Sequence, residues 1–218
     1  VFKVGYQIAE AIAHAENISI KDAYEKVRDA LEMVGLDWKR TMNLYPHELS
    51  GGMAQRIMIA MALVTRPKLL IADEPTSALD VTIQAQILNL LDDLIKEMKS
   101  AVMMITHDLG VAAEFCDRIA VMYAGNVVEF TKTEIIFENP LHPYTKGLLK
   151  AVPRIGRTEE LEGVPGMVPD LVDPPPGCRF HPRCENRLDI CSRKKPELVE
   201  VEEDHFVACH LFSGGVKV

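Results

Sequence analysis

Apolar positions along this chain change their period several times, and each change marks an element. Val4, Ile8, Ala11 and Ile12 recur at helical spacing over the first fifteen residues, until Asn17-Ile18 breaks the run. Ser19, with Asp22 three residues on, reads as an N-cap with an acidic first turn. Ala23, Val27, Ala30, Leu31 and Val34 then form one apolar face, which Gly35 stops. Ile57, Met61 and Val64 predict the inner face of a third helix over 53–64. After a turn at Thr65-Arg66-Pro67, the compact run Leu69-Leu70-Ile71-Ala72 reads as a buried strand. A wide stripe, Ile83, Ile87, Leu90, Leu91, Leu94, Ile95 and Met98, predicts a long helix with an ordinary core-facing side. Residues 101–105 read as another short buried strand, and 109–115 as a helix. Segments 118–123 and 127–130, joined by Ala124-Gly125-Asn126, read as a hairpin. Cys116, placed at the end of the helix before it, reads as an inert buried thiol.

Composition narrows the function classes. The 218 residues can bury one good core, or one core and a small appendage. A charged fraction of 26% and a hydrophobic fraction of 48% are ordinary for a globular chain. The net charge of −8 argues against a broad nucleic-acid face, which needs a basic patch. No apolar run approaches a membrane span, and the start lacks the basic-then-apolar order of a signal peptide. A cytoplasmic protein is the expectation.

Candidate chemistry concentrates where the first strand ends. Asp73 and Glu74 stand there, and Pro75 prevents a regular continuation. Successive strand side chains face opposite ways, so one carboxylate can hold a cation while its neighbour faces a water. Metal-assisted phosphoryl transfer needs that division. Taken alone, the pair is equally an exposed acidic turn. Upstream, Ser50-Gly51-Gly52 opens a helix, where a hydroxyl and unhindered glycine amides make an anion site. Without a ligand the same residues are a plain helix cap.

Four segments taken together are far more specific. Residues 49–56, LSGGMAQR, resemble the signature motif of ABC-type ATPases. LLIADEP (69–75) resembles their Walker B strand, SALD (77–80) their D-loop and ITHD (105–108) their switch-histidine segment. The resemblance implies an α/β P-loop ATPase fold that binds ATP and Mg²⁺. Asp73 would hold the metal and Glu74 would act as general base or water-positioning group. His107 would sense the γ-phosphate, while Ser50, Gly51, Gly52 and Met53 would reach the nucleotide of a second subunit. Asp80 would couple the two sites. It also implies that the helices before the signature form a subdomain meeting membrane subunits. No G-x-x-x-x-G-K-[ST] occurs in the chain, so the phosphate-cradling P-loop part is expected to be missing and the chain to be a piece of a longer protein, inactive alone.

Further on, Ile135 to Leu149, with HPYTKGLL, resembles the segment found in ATPases of oligopeptide, dipeptide and nickel importers. His142 and Tyr144 there read as structural. Residues 153–177 are rich in proline, glycine and acidic residues and read as an extended linker. Cys178, Cys184, Cys191 and Cys209 follow in a poorly apolar tail, a pattern that suggests a staple. Disulfides suit a reducing compartment poorly. The C-x₅-C-x₆-C spacing lacks the paired knuckles of a zinc ribbon, whereas four thiolates can carry a [4Fe–4S] cluster. The importer resemblance implies that cluster. Zinc, with help from His181, His205 or His210, is the alternative.

The expected organisation is therefore a helical subdomain with the signature (1–64) and an α/β core (65–132). A family-specific helix and linker (133–177) and a Cys-rich extension (178–218) complete it. The implied assembly has a second ABC ATPase subunit, two membrane permease subunits and a separate solute-binding protein, peripheral on the cytoplasmic side of the membrane, with no nucleic acid. Two rivals are a non-catalytic metal-binding assembly or regulatory fragment and a DNA-maintenance ABC ATPase. The latter would show a coiled-coil insertion before the signature and a basic surface, and neither is present.

Overall fold

A computed structural model describes residues 2–77, 79–151 and 163–212. The chain divides into two compact units, Val1–Val111 and Ala112–Val218.

The first unit begins with two helices, α1 (Val4–Glu16) and α2 (Ile20–Met33), placed as their apolar periodicity predicts. Asn17 ends α1 in the left-handed conformation, and the Ser19 hydroxyl accepts from the Asp22 amide to start α2. A short helix α3 (Trp38–Thr41) leads into α4 (Gly51–Leu63), which starts two residues before the apolar pattern announces it. Val4, Ile8, Ile12, Val27, Leu31 and Ile57 meet in one buried cluster, so this core is built from α1, α2 and α4. Ile57, Ile59, Ala60 and Leu63 form the buried side of α4, while Met61 and Val64 lie half-buried against the cluster. Gly5 has a packing reason that no motif signals: a Cβ there would meet the Tyr24 hydroxyl at 2.9 Å and the Met42 carbonyl at 3.0 Å. The Gly5 amide donates to that same carbonyl.

Strand β1 (Leu69–Asp73), helix α5 (Val81–Met98) and strand β2 (Ala101–Ile105) complete this unit. The strands pair in parallel, from Leu69 opposite Ala101 to Asp73 opposite Ile105. A right-handed β-α-β crossover is the usual way to join such strands. Neither strand is buried as its apolar run predicts. Leu69, Ile71, Met103 and Ile105 remain about half exposed, and burial alternates along both strands. The reason is the period of two: alternate residues face opposite sides, and among the described residues only one side is even partly covered. Helix α6 (Leu109–Phe115) follows as expected, and the division between units falls inside it.

In the second unit, β3 (Arg118–Tyr123) and β4 (Asn126–Lys132) form the predicted hairpin. Its loop is tighter than the sequence suggests. Only Ala124 and Gly125 turn, both with positive φ, and Asn126 already pairs. Cys116 lies just past α6 and is half-buried rather than buried; burial still pushes its thiol pKa up. Helices α7 (Thr133–Glu138) and α8 (Pro143–Lys150) carry the HPYT segment. The tail adds β5 (Val199–Glu202) and β6 (His205–Val207), and the strand order is β3-β4-β6-β5. Hairpin and Cys-rich tail thus share one antiparallel sheet, with Glu129 opposite Val207 and Phe130 opposite Phe206. Of the linker, 163–177 lacks regular secondary structure, but the Arg183 guanidinium donates to the Val164 and Pro165 carbonyls at 2.7 Å each. Residues 152–162 of that linker lie outside the described residues.

Candidate functional site

The acidic strand end adopts a strained turn. Glu74 has φ 43°, a left-handed value uncommon outside glycine, and costs of order 1–3 kcal/mol attach to such residues. Its amide donates to the Ile105 carbonyl at 2.9 Å, extending the parallel ladder one step beyond Asp73. The Ser77 amide and hydroxyl both donate to the Glu74 carbonyl, at 3.1 and 3.0 Å. These bonds fix the direction in which the Glu74 side chain leaves the sheet.

Because β2 is the parallel neighbour of β1, the residues following it lie beside Glu74. His107 Nδ1 and Glu74 Oε1 are 3.0 Å apart. A carboxylate and an imidazole thus meet at the C-terminal edge of two parallel strands, where open α/β sheets bind ligands. Both remain open to solvent, with side-chain exposures of 79% for His107 and 47% for Glu74. Such a pair can orient a water and exchange a proton with it. Asp73 is exposed, and its carboxylate has no hydrogen-bond or ion-pair partner among the described residues. It is available to a hard cation. Asp108 serves the backbone instead, because its Oδ1 accepts from the Gly110 and Val111 amides and caps α6.

The signature residues stand at the start of α4. The Ser50 hydroxyl accepts from the Met53 amide at 3.3 Å, leaving the Gly51 backbone exposed at a helix N-terminus. The glycines also have an internal reason. A Cβ on Gly52 would meet Ile83 Cγ2 at 2.9 Å, and one on Gly51 would meet Leu79 Cδ2 at 3.2 Å. Asp80 accepts from the Ile83 amide at 2.9 Å and caps α5. Ala78, within the SALD segment, lies outside the described residues. Among the described residues no hydrogen bond joins the Ser50–Met53 group to Asp73 or Glu74. Arg56, the last residue of LSGGMAQR, reaches back to donate to the Val34 carbonyl at 2.8 Å. It thereby satisfies a carbonyl left open at the end of α2, beside the positive-φ Gly35.

Residues 3–77 match the family model for ABC transporters, and residues 128–191 match that for the oligopeptide/dipeptide transporter C-terminal region. The chain belongs to the family of oligopeptide/dipeptide ABC transporter ATP-binding subunits. It is 52% identical over 212 residues to a probable peptide ABC transporter ATP-binding protein of Sinorhizobium fredii, covering 96% of this chain and 63% of that protein. It is 47% identical to a dipeptide transport ATP-binding protein of Caldanaerobacter subterraneus, covering 93% of this chain and 63% of that protein. With an oligopeptide transport ATP-binding protein of Bacillus subtilis the identity is also 47%, over 97% of this chain and 65% of that protein. The chain therefore spans less than two thirds of the length of these relatives. As a member of this ABC family it has the ABC ATPase fold, with mixed α/β content. The match over 128–191 covers the HPYT segment from which the importer subfamily is read.

That segment is organised by a residue the motifs do not mark. Glu129 on β4 is fully buried; it accepts from the Leu141 amide at 2.7 Å and the His142 amide at 2.9 Å, and meets His205 Nε2 at 2.7 Å. His142 is the N-cap of α8, its Nδ1 accepting from the Tyr144 amide at 3.0 Å. Burial pushes its pKa down to about 4, against a smaller upward pull from the Glu129 charge. It is therefore neutral near pH 7, with its proton on Nε2. The structural reading of His142 from sequence agrees with this geometry. The only sequence signal for Glu129 is a carboxylate inside the short apolar run Val127-Val128-Glu129-Phe130.

Cys178, Cys184 and Cys209 have raised thiol pKa values. Burial first, and then the charges of the other thiols among its causes, push Cys209 up to about 11. Burial raises Cys178 and Cys184 as well, and again neighbouring cysteines add to the shift. Such thiols resist ionising unless a cation relieves them. Gly177, with φ 71°, brings Cys178 against Cys191, and the Cys178 amide donates to the Cys191 carbonyl at 2.8 Å. Among the described residues, however, no three His, Cys, Asp or Glu side chains group tightly enough to hold a single metal ion. Each histidine weighed as a zinc ligand uses one ring nitrogen within the protein: His205 Nε2 with Glu129, His181 Nδ1 with the Cys178 carbonyl and His210 Nε2 with the Lys194 carbonyl. No helix among the described residues is long and apolar enough to cross a membrane.

Proposed function

We propose that this chain carries the hydrolytic and signature elements of an ATP-binding subunit that energises the import of oligopeptides, dipeptides or related solutes. The Glu74–His107 contact at the strand ends is the observation that carries the reading. Glu74 orients or deprotonates the attacking water, and His107 holds Glu74 and senses the γ-phosphate. Asp73 would hold Mg²⁺, which supplies charge neutralisation on the phosphates. Ser50, Gly51, Gly52 and Met53 present a helix N-terminus to nucleotide held by a second ATPase subunit, and Asp80, at the D-loop, couples the two sites. Two membrane permease subunits and a separate solute-binding protein complete the assembly, with this subunit peripheral on the cytoplasmic side. The chain contains no Walker A sequence, so by itself it is expected to show no magnesium-dependent ATP turnover.

The test uses the complete subunit together with its permeases. Glu74→Gln is expected to lower ATP turnover by about 10²–10⁴-fold and abolish peptide uptake while nucleotide still binds. Unchanged turnover in that variant overturns the assignment.

The donor chemistry of the tail supports a finer reading, in which Cys178, Cys184, Cys191 and Cys209 hold a [4Fe–4S] cluster that acts as a structural staple. Four soft sulfur donors in one short tail suit iron–sulfur ligation. Anaerobically purified protein is expected to contain iron and acid-labile sulfide at about four each per chain. Stoichiometric zinc, or no metal, rules the cluster out.

A further inference from the structure

Within the second unit lies a half-open cleft of about 500 Å³, bounded by the hairpin, the segment after Gly177 and residues 195–198. Its volume falls in the range of small-molecule sites, about 300–1,000 Å³. Tyr123, Phe180 and Leu198 give it apolar walls. Tyr123 and Phe180 are themselves buried, with their rings edge-to-face at 5.1 Å, so that wall is preformed. Three charged residues, Arg179, Lys195 and Glu197, also line the cleft. Arg179 is half-buried and spends one nitrogen on the Ala124 carbonyl. Lys195 and Glu197 have no hydrogen-bond or ion-pair partner among the described residues, although Pro196 alone separates them and Arg179 lines the same cleft. Oppositely charged groups that share a cleft without pairing leave room for a ligand bearing both complementary charges.

We propose that this cleft binds a small zwitterion with an apolar side chain, of the amino-acid or dipeptide class. The carboxylate goes to Arg179 and Lys195, the ammonium to Glu197, and the side chain packs against Tyr123, Phe180 and Leu198. Such binding is independent of the ATPase reading, because occupancy is measured on the chain itself without nucleotide.

The purified chain, kept reduced, is titrated calorimetrically with L-leucine and with L-leucyl-L-leucine. N-acetyl-leucine amide, which carries neither charge, is the comparison ligand. Saturable binding of one or both zwitterions is expected, with none of the blocked compound. Lys195→Ala and Glu197→Ala alter exposed side chains outside the catalytic group, and each is expected to weaken binding about tenfold with unchanged thermal unfolding. If the dipeptide binds and leucine does not, the longer zwitterion is the ligand class; the reverse assigns the free amino acid. Absence of saturable binding by either at millimolar concentration overturns the proposal. So does equal binding of the blocked compound, or binding untouched by both substitutions.

Discussion

The carboxylate of Glu129 and the imidazole of His205 form a fully buried pair, Oε1 to Nε2 at 2.7 Å, across 76 residues of sequence. The pair ties the last strand of the tail to β4, and the same carboxylate receives the amides at the start of the HPYT helix. Removing one partner from a buried pair leaves the other uncompensated, at a cost of about 3–5 kcal/mol. Glu129→Ala is expected to destabilise the second unit by that amount in denaturant unfolding. Glu129→Gln keeps an acceptor for the helix amides and is expected to cost less. Equal losses in the two variants sink the bonding scheme. Hydrogen exchange at the Leu141 and His142 amides reads the same bonds directly.

His142 gives the fold a defined acid sensitivity. Its pKa falls from the ordinary 6.5 to about 4 in the folded state because the ring is buried. The unfolded chain therefore binds the proton more readily, and stability present above pH 6.5 is lost as pH falls towards 4, levelling off below. Such a shift corresponds to roughly 3 kcal/mol over the window. His142→Asn can still cap the helix but does not titrate. It is expected to flatten unfolding free energy between pH 6.5 and 4, and an unchanged slope would point to other groups.

Gly177 cannot take a side chain. Its φ is 71°, and a Cβ would lie 2.4 Å from the Cys191 carbonyl oxygen and 3.0 Å from the Arg193 amide, both backbone atoms. The left-handed conformation alone costs an L-residue about 1–2 kcal/mol. Gly177→Ala is expected to break the Cys178–Cys191 backbone bond and lower tail stability by more than that. Faster alkylation of Cys191, which is buried in the intact protein, is the readout; a protection pattern like the parent's would contradict it.

Arg56 links the signature helix to the end of α2. Arg56→Ala orphans the Val34 carbonyl, and loss of a part-buried bond from a charged donor is expected to cost about 1.5–3 kcal/mol. Unfolding of the first unit measures it. Arg56→Gln, too short to reach as far, is expected to recover little.

Local pattern determined much of this protein. The period of 3.6 placed α1, α2 and α5, and Ser19, Asn17 and Gly35 marked their ends, because caps depend on neighbours in sequence. The order of signature, Walker B, D-loop and switch-histidine segments named the family, since each is a contiguous string. The same strings placed Glu74 and His107 at consecutive strand ends, and parallel pairing turned that placement into a 3.0 Å contact. The apolar runs of β1 and β2 promised burial that the two-stranded sheet does not supply, because burial belongs to the layers around a strand and not to its own residues. Tertiary structure alone decided that the tail joins the hairpin in one sheet and that Gly52 must yield space to Ile83. It alone made Glu129 the anchor of the HPYT segment. Each of these is a meeting between residues distant in sequence, and no periodicity or local propensity records which distant partner a side chain will find.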